Sequence, residues 1–340
     1  MNRRIAVVIV NYRTSDLALR ALASLEAERA REPDLEVIIV DGGSGDGSAD
    51  RLRAGLSDPR YEGWASLLPL EINGGFGWAN NQAMLRLLQA DEPPDYIHLL
   101  NPDTEIAPGA VSYLADTLDD CPKCGAVGSL LLEPDGSASG SAFTFPTIRR
   151  ELARGAKLAP FDWLLGVAPF QAEQPAGDVD WVTGASVMFR ARALRQAGLF
   201  DTGFFLYFEE VELMARLRRV GWSIRHNPAS RVSHVGGAAT GVNGSRPVSG
   251  RPALPVYWYE SRRRYFTRRH GRTVALIASL TWLIGHASLI LRRWLGSGRH
   301  HPLVLHDGRR LIRYGLIPKG AARAVPKWSD APGTPPAWMA

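Results

Sequence analysis

Short apolar runs that stop at polar, glycine- or asparagine-rich loops recur along the first two-thirds of this chain. Residues 5–10 (Ile-Ala-Val-Val-Ile-Val) are rich in β-branched types, the pattern of a strand buried on both faces. The run ends at Asn11-Tyr-Arg-Thr-Ser-Asp16, and Leu17, Leu19, Leu22 and Leu25 then recur at roughly helical spacing. Residues 35–40 repeat the pattern and end at Asp41-Gly-Gly-Ser-Gly-Asp-Gly-Ser48. Residues 64–70 predict a third strand, followed by Asn73-Gly-Gly-Phe-Gly-Trp-Ala-Asn-Asn81 and a helix through Met84, Leu87 and Leu88. A buried strand around residues 97–100 stops at Asn101-Pro102 and delivers Asp103 into a loop, ahead of a helix suggested by residues 108–116. A further strand near residues 126–132 precedes a hairpin at Asp135-Gly136. Strand, loop and helix in alternation predict an α/β fold: a doubly wound, mostly parallel sheet flanked by helices, its loops gathered on one edge.

Residues 140–178 carry Pro146, Pro160, Pro169 and Pro175 and predict no regular element. Order returns at residues 179–190, read as one strand with Gly184 in its middle, and residues 194–198 suggest a short helix. The aromatic block at residues 204–208 runs directly into Glu209-Glu-Val-Glu212. Val211, Met214, Leu217 and Val220 lie three apart, which predicts a helix from about Glu209 that ends at Gly221. Acids in its first turn match the helix dipole, worth ~0.3–1 kcal/mol each. Carboxylates beside apolar rings also have raised pKa values, which suits general-base chemistry.

Ligands of doubly wound sheets collect outside the carboxyl ends of the strands. Asp103 therefore reads either as a metal or phosphate-site residue or as a cap for the helix that follows. The Asp41 loop has four glycines in seven residues, which lets backbone approach a ligand. It is not a P-loop, since no Gly-Lys-Ser/Thr follows. It is not a dinucleotide fingerprint either, because Asn11-Tyr-Arg-Thr follows the first strand.

Taken in order, the blocks Val-Ile-Val-Asn-Tyr-Arg-Thr, Val-Asp-Gly-Gly-Ser-Gly-Asp-Gly-Ser, Asn-Gly-Gly-Phe-Gly-Trp-Ala-Asn-Asn, Leu-Asn-Pro-Asp-Thr, Trp-Val-Thr-Gly-Ala, Phe-Glu-Glu-Val-Glu-Leu and His-Val-Gly-Gly resemble family 2 glycosyltransferases. The likeness is to bacterial rhamnosyltransferase-type members and spans roughly residues 4–240. It implies a GT-A fold and an inverting transfer from a nucleotide-diphosphate sugar, dTDP-rhamnose favoured, to a polyprenyl-linked or glycan acceptor. By resemblance, Asn11, Arg13, Asp41, Asn73, Asn101 and Asp103 bind the donor, with Asp41 reaching the base. Trp181, Thr183, Gly184 and Glu209 would serve the acceptor, and Glu210 would act as general base. Asp103 matches the metal-binding acid of the family's Asp-x-Asp motif, with Asn101 at its first position, and His234 matches a histidine that completes the site in some relatives. The implied cofactor is a divalent cation, Mg or Mn. Glu210 stands where the family has Asp.

Charge divides the chain. Residues 251–340 hold 16 Lys and Arg against 3 Asp and Glu, whereas residues 1–250 are net acidic. We expect a catalytic domain over residues 1–245 and a basic extension over residues 246–340. Within the extension, residues 273–291 carry no formal charge, near the ~20 residues needed to span a bilayer core. Leu276, Ile277, Leu280, Leu283, Ile284, Ala287, Ile290 and Leu291 form one stripe between arginine clusters, the pattern of a helix lying in the interface against an anionic membrane surface. A soluble packed helix and a spanning helix are the alternatives. Lipid fits this apolar helix better than a nucleic-acid backbone, so no nucleic-acid partner is expected.

Met1-Asn-Arg-Arg shows no secretory signal pattern, and the only cysteines are Cys121 and Cys124, read as reduced thiols in a turn. Together with the apolar helix, this sets the expectation at the cytoplasmic face of the inner membrane, peripheral or monotopic. Two competing readings are a nucleotidyltransferase and a catalytically impaired nucleotide-sugar or lipid-binding membrane protein.

Overall fold

The computed structural model describes residues 3–158, 162, 164–167, 171–234, 253–297, 306–316 and 324–339. The boundary expected at residue 245 lies outside them. In chain order, the first half comprises β1 (Ile5–Asn11), α1 (Ser15–Leu25), β2 (Leu35–Asp41), α2 (Ser48–Leu56), β3 (Ala65–Pro69), α3 (Phe76–Gln89), β4 (Tyr96–Leu100), β5 (Thr104–Ile106), α4 (Ala110–Asp120) and β6 (Cys124–Leu132). The second half comprises β7 (Ala142–Phe143), α5 (Ile148–Ala156), β8 (Gly177–Val179), β9 (Trp181–Val182), β10 (Ser186–Arg190), α6 (Ala191–Ala197), α7 (Glu209–Arg219) and β11 (Ser223–His234). The extension adds α8 (Val256–His270) and α9 (Arg272–Trp294).

The main sheet runs β3-β2-β1-β4-β10-β6-β11-β5, with β8 beside β11. Its β3-β2-β1-β4 half is parallel, as the doubly wound pattern predicts. Beyond β4 the sheet is mixed: β10 runs antiparallel between β4 and β6, while β11 is parallel to β6. Side-chain alternation explains why β1 is continuously apolar. Ala6 and Val8 enter one core with α3, and Ile5, Val7 and Ile9 enter the other with α1 and α4.

Two expectations need correction. The single strand expected over residues 179–190 is three pieces: β8 pairs with β11, β9 forms a ribbon with β7, and only β10 joins the centre of the sheet. A continuous apolar run records burial but not which partner each residue takes. The segment read as irregular also contains α5, whose buried residues are Glu151, Ala153, Gly155 and Ala156. A buried face made of a carboxylate and small residues carries no apolar period.

That face packs on the extension. Arg262 of α8 is fully buried and reaches Glu151 Oε2 at 2.9 Å from Nε and 2.5 Å from Nη2. It also donates to Ser279 Oγ at 2.9 Å and to the carbonyl of Ala278 at 3.0 Å, both on α9. Burial alone would raise the Glu151 carboxyl, yet Arg154 and Arg262 hold it below its usual value. Tyr265, Phe266, Ala275 and Ala278 enter the same core as α3 and α7, so the extension is built into the fold.

Helix α4 has no side-chain cap of its own; Gly109 precedes it. Glu28 supplies the cap from a distance, accepting from Gly109 N at 2.5 Å and Val111 N at 3.0 Å. The cap reading of Asp103 is thereby removed.

Two stability outcomes follow from these buried charges. Glu28→Ala leaves two buried amides unpaired and should cost about 1–3 kcal/mol in urea unfolding. Arg262→Met leaves the buried Glu151 with Arg154 as its one guanidinium partner and should cost up to about 3–5 kcal/mol, part of it recovered in the Glu151→Met/Arg262→Met double variant.

Candidate active site

The loops after β1, β2 and β4 leave the sheet on one edge, as parallel strands require. At the end of β2, Asp41 is almost fully buried and needs partners to remain charged. Asn11 Nδ2 donates to its Oδ1 at 2.7 Å, Ser44 Oγ donates to Oδ1 at 2.7 Å, and Ser44 N donates to Oδ2 at 3.2 Å. Ser44 also ties in Arg13: Arg13 N donates to Ser44 Oγ at 2.9 Å and Arg13 Nε to Ser44 O at 3.0 Å. Arg13 adopts φ 60°, a left-handed backbone held by these bonds.

The loop before α3 is pressed between two others. Gly43 has φ +69°, and a Cβ there would fall 2.6 Å from the backbone of Ile72 and 2.9 Å from Asn73 N. Gly75 has φ +85°, and a Cβ there would fall 2.0 Å from Phe205 O, to which Phe76 N donates at 3.1 Å. Both positions require glycine twice over, for backbone sign and for closeness. Asn73 Oδ1 accepts from Gly75 N at 3.0 Å, which holds the turn into α3.

At the end of β4, Asn101 N donates to Ala185 O at 2.9 Å, joining the Asp103 loop to the turn between β9 and β10. Antiparallel pairing sets Thr104 opposite His234, and so brings the imidazole to Asp103. His234 Nε2 lies 3.3 Å from Asp103 Oδ1. One carboxylate oxygen and one imidazole nitrogen are donors suited to a divalent transition metal. Among the described residues, no third histidine, cysteine or acid joins them.

Helix α7 opens after two aromatic residues in the left-handed region, Tyr207 (φ 69°) and Phe208 (φ 68°). Such backbone costs of order 1–3 kcal/mol per residue and persists where packing enforces it. Tyr207 stacks on Tyr257, and Phe208 meets Trp258 edge-on, both from α8. The turn brings Glu210 close to Gly184, where a Cβ would stand 3.4 Å from the Phe76 ring and 3.9 Å from Glu210 Cβ. Oε2 of Glu210 is buried with no hydrogen-bond partner among the described residues, and so is Oε2 of Glu209. Burial pushes Glu210 up to about 7. Burial, and then the neighbouring Glu210, raise Glu209 well above the usual carboxylate range. Glu209 packs inward against Gly77 of α3. Trp181 stacks on Phe143 at 4.4 Å, and Thr183 N donates to Ser141 O at 3.0 Å, so both sit on the β7–β9 ribbon leading into Gly184.

The fold thus gathers Asn11, Arg13 and Asp41 in one cluster with Asn73 beside it, joins Asp103 to His234, and sets Glu210 beside Gly184. Sequence reasoning missed Ser44, the hub of the first cluster, although it lies inside the glycine-rich loop. It also missed Phe76 and Tyr257, which meet the turn before α7 from distant parts of the chain.

The mixed sheet thus brings the Asp41 loop, the Asp103–His234 pair and the Glu210 turn to one edge. The model for "Glycosyl transferase family 2" matches residues 6–171, and that for "Glycosyl transferase family group 2" matches residues 96–317. The chain is 33% identical over 318 residues to the N-acetylglucosaminyl-diphospho-decaprenol L-rhamnosyltransferase of Mycobacterium tuberculosis, covering 89% of this chain and 98% of that one. Among solved structures, it resembles a mannosyltransferase from Pyrobaculum calidifontis in complex with GDP-Man and Mn2+, with TM-score 0.55, 15% identity and coverage of 87% of this chain and 77% of that chain. GalNAc-T7 with UDP, GalNAc and Mn2+ gives TM-score 0.53 at 16% identity, covering 88% and 59%. The chain belongs to glycosyltransferase family 2 and has the GT-A fold. It is a rhamnosyltransferase-like glycosyltransferase.

Ser44→Ala removes one hydroxyl that braces both Asp41 and Arg13. It should weaken nucleoside-diphosphate binding about tenfold, in line with the loss of a hydrogen bond to a charged group. Titration calorimetry at unchanged thermal stability measures it, and unaltered affinity would separate this loop from the nucleotide.

Proposed function

We propose that the chain is an inverting glycosyltransferase that moves a sugar, rhamnose favoured, from a dTDP-type nucleotide-diphosphate donor to a hydroxyl of a polyprenyl-linked acceptor. The observation that carries this reading is Glu210, its carboxyl raised by burial and its Oε2 without a hydrogen-bond partner among the described residues, close to Gly184 on the sheet edge that also bears the Asp103–His234 pair. The name of the Mycobacterium tuberculosis relative, a rhamnosyltransferase acting on a decaprenol-linked sugar, supports this choice of donor sugar and acceptor class.

In the proposed reaction Glu210 accepts the proton of the acceptor hydroxyl as its oxygen bonds to the anomeric carbon. The bond from that carbon to the diphosphate breaks on the opposite face, and the electron pair leaves with the nucleoside diphosphate. A single displacement of this kind inverts the anomeric centre. Asp41, held by Asn11 and Ser44, offers its carboxylate at the donor loop, and Arg13 brings positive charge to the same loop. Asp103 and His234 would hold a divalent cation, whose chemistry is to neutralise charge on the departing diphosphate as a Lewis acid. The imidazole favours Mn over Mg. Trp181 and Thr183 would line the acceptor's approach to Gly184, while Glu209, buried behind the base, keeps its charge off and so favours an ionised Glu210.

Glu210→Gln should abolish transfer, a loss of at least ~10²-fold, while leaving donor affinity near wild type. Transfer by that variant at wild-type rate rules out the assignment. Asp103→Ala should lower donor affinity and turnover together. Because the base works ionised and its carboxyl is raised to about 7, kcat/KM should fall as pH drops through that value, about tenfold between pH 8 and pH 6. Nucleoside-diphosphate release from a panel of nucleotide sugars, with manganese present, identifies the donor.

A further inference from the structure

Helix α9 is long and apolar enough to cross a membrane by length and composition. Its packing decides otherwise. One face carries Ala275, Ala278, Ser279, Trp282, Gly285 and Leu289, all buried. This face crosses α5 at backbone contact: a Cβ on Gly285 would lie 2.5 Å from Leu152 O, and one on Gly155 2.4 Å from Trp282 O. Beside that crossing, the buried Arg262 grips Glu151 of α5 and Ser279 of α9 together. A helix bound along its length to two polar helices cannot shed them into a bilayer without stranding that ion pair.

The opposite face is apolar and open. Leu276, Ile277, Leu280, Ile284, Leu291 and Trp294 are exposed, Ile284 to 65% and Trp294 to 79%. They lie within about a third of the helix circumference and run from residue 276 to its end, about 27 Å at 1.5 Å per residue. Apolar patches of this extent on a soluble surface mark an interaction site. Arginines stand at both ends, Arg272 at the start and Arg292 and Arg293 at the finish, in a segment with 16 basic against 3 acidic residues. An apolar stripe rimmed by positive charge is complementary to an anionic phospholipid surface rather than to a second copy of this equally basic face.

We propose that α9 docks the protein monotopically on an anionic bilayer, lying in the membrane plane with the stripe of Leu276, Leu280, Ile284 and Leu291 sunk into the headgroup–acyl boundary and α5 and α8 behind it. The same unit reaches the base-bearing turn. Tyr257 and Trp258, at the start of α8, contact Phe205, Tyr207 and Phe208 at ring-centroid distances of 5.2, 6.0 and 5.6 Å. Docking therefore fixes the position of Glu210 relative to the bilayer surface, where the pyrophosphate end of a polyprenyl acceptor lies. That last role rests on the function proposed above; the docking itself does not.

Flotation of the full-length protein with vesicles tests the docking without any sugar substrate. Binding to phosphatidylcholine–phosphatidylglycerol vesicles should exceed binding to phosphatidylcholine alone and should weaken as salt rises. Leu280→Glu/Ile284→Glu should lower binding about tenfold or more at unchanged melting temperature, since both side chains are exposed. Nitroxides placed singly by Leu276→Cys, Ile284→Cys and Leu291→Cys, in a Cys121→Ser background, should report equal, shallow depths. A deep label at 284 between shallow labels at 276 and 291 would mark a spanning helix and overturn the proposal. So would an absence of flotation, full flotation of the double glutamate variant, or a lipid-free dimer that buries the stripe. Donor hydrolysis by the same preparations, with and without vesicles, reads the catalytic proposal separately: docking without hydrolysis sinks the catalytic reading alone.

Discussion

The site depends on backbone coming closer to backbone than any side chain permits. Gly43 lies against the chain at Ile72 and Asn73, and Gly75 lies against Phe205. Three loops from distant parts of the sequence are thereby stacked on one sheet edge: the Asp41 loop, the turn into α3, and the turn that carries Glu209 and Glu210. A methyl group at either glycine would push these loops apart. The electrostatic features exist because of this closeness. Asp41 stays buried because Asn11 and Ser44 are within hydrogen-bond reach, and Glu210 is raised because its carboxyl is buried in the turn.

A second constraint runs through the extension. Two consecutive left-handed aromatic residues before α7 would relax if nothing held them. The rings of Tyr257 and Trp258 hold them, and α8 is in turn held by the Arg262–Glu151 pair and by the core it shares with α3 and α7. The basic, apolar tail is thus part of what shapes the turn before α7, and an exposed apolar face on α9 is compatible with a well-packed protein because its other face is buried.

Much was legible beforehand. β1, β2 and β4 announced themselves as apolar runs because strands buried on both faces need no polar alternation. Their polar exits marked the site edge, and the seven ordered motifs marked the family. Helix α5 stayed invisible because its buried face is a salt-bridged glutamate and small residues. The division of residues 177–190 among β8, β9 and β10 was hidden because an apolar run does not say which neighbour it pairs with. The sequence offered Asp103 as a cap for α4, whereas the cap comes from Glu28, 81 residues away from Gly109 in the chain.

Residue types and their local order determined the strands, the edge where chemistry collects, the family and the candidate residues, since period, turn chemistry and motif spacing are properties of neighbours in the chain. Only the tertiary structure decided which of those residues meet. The pairing of His234 with Asp103, the service of Ser44 to both Asp41 and Arg13, and the two-faced burial of α9 all arise from contacts between segments far apart in sequence, where register and packing rather than composition select the partner.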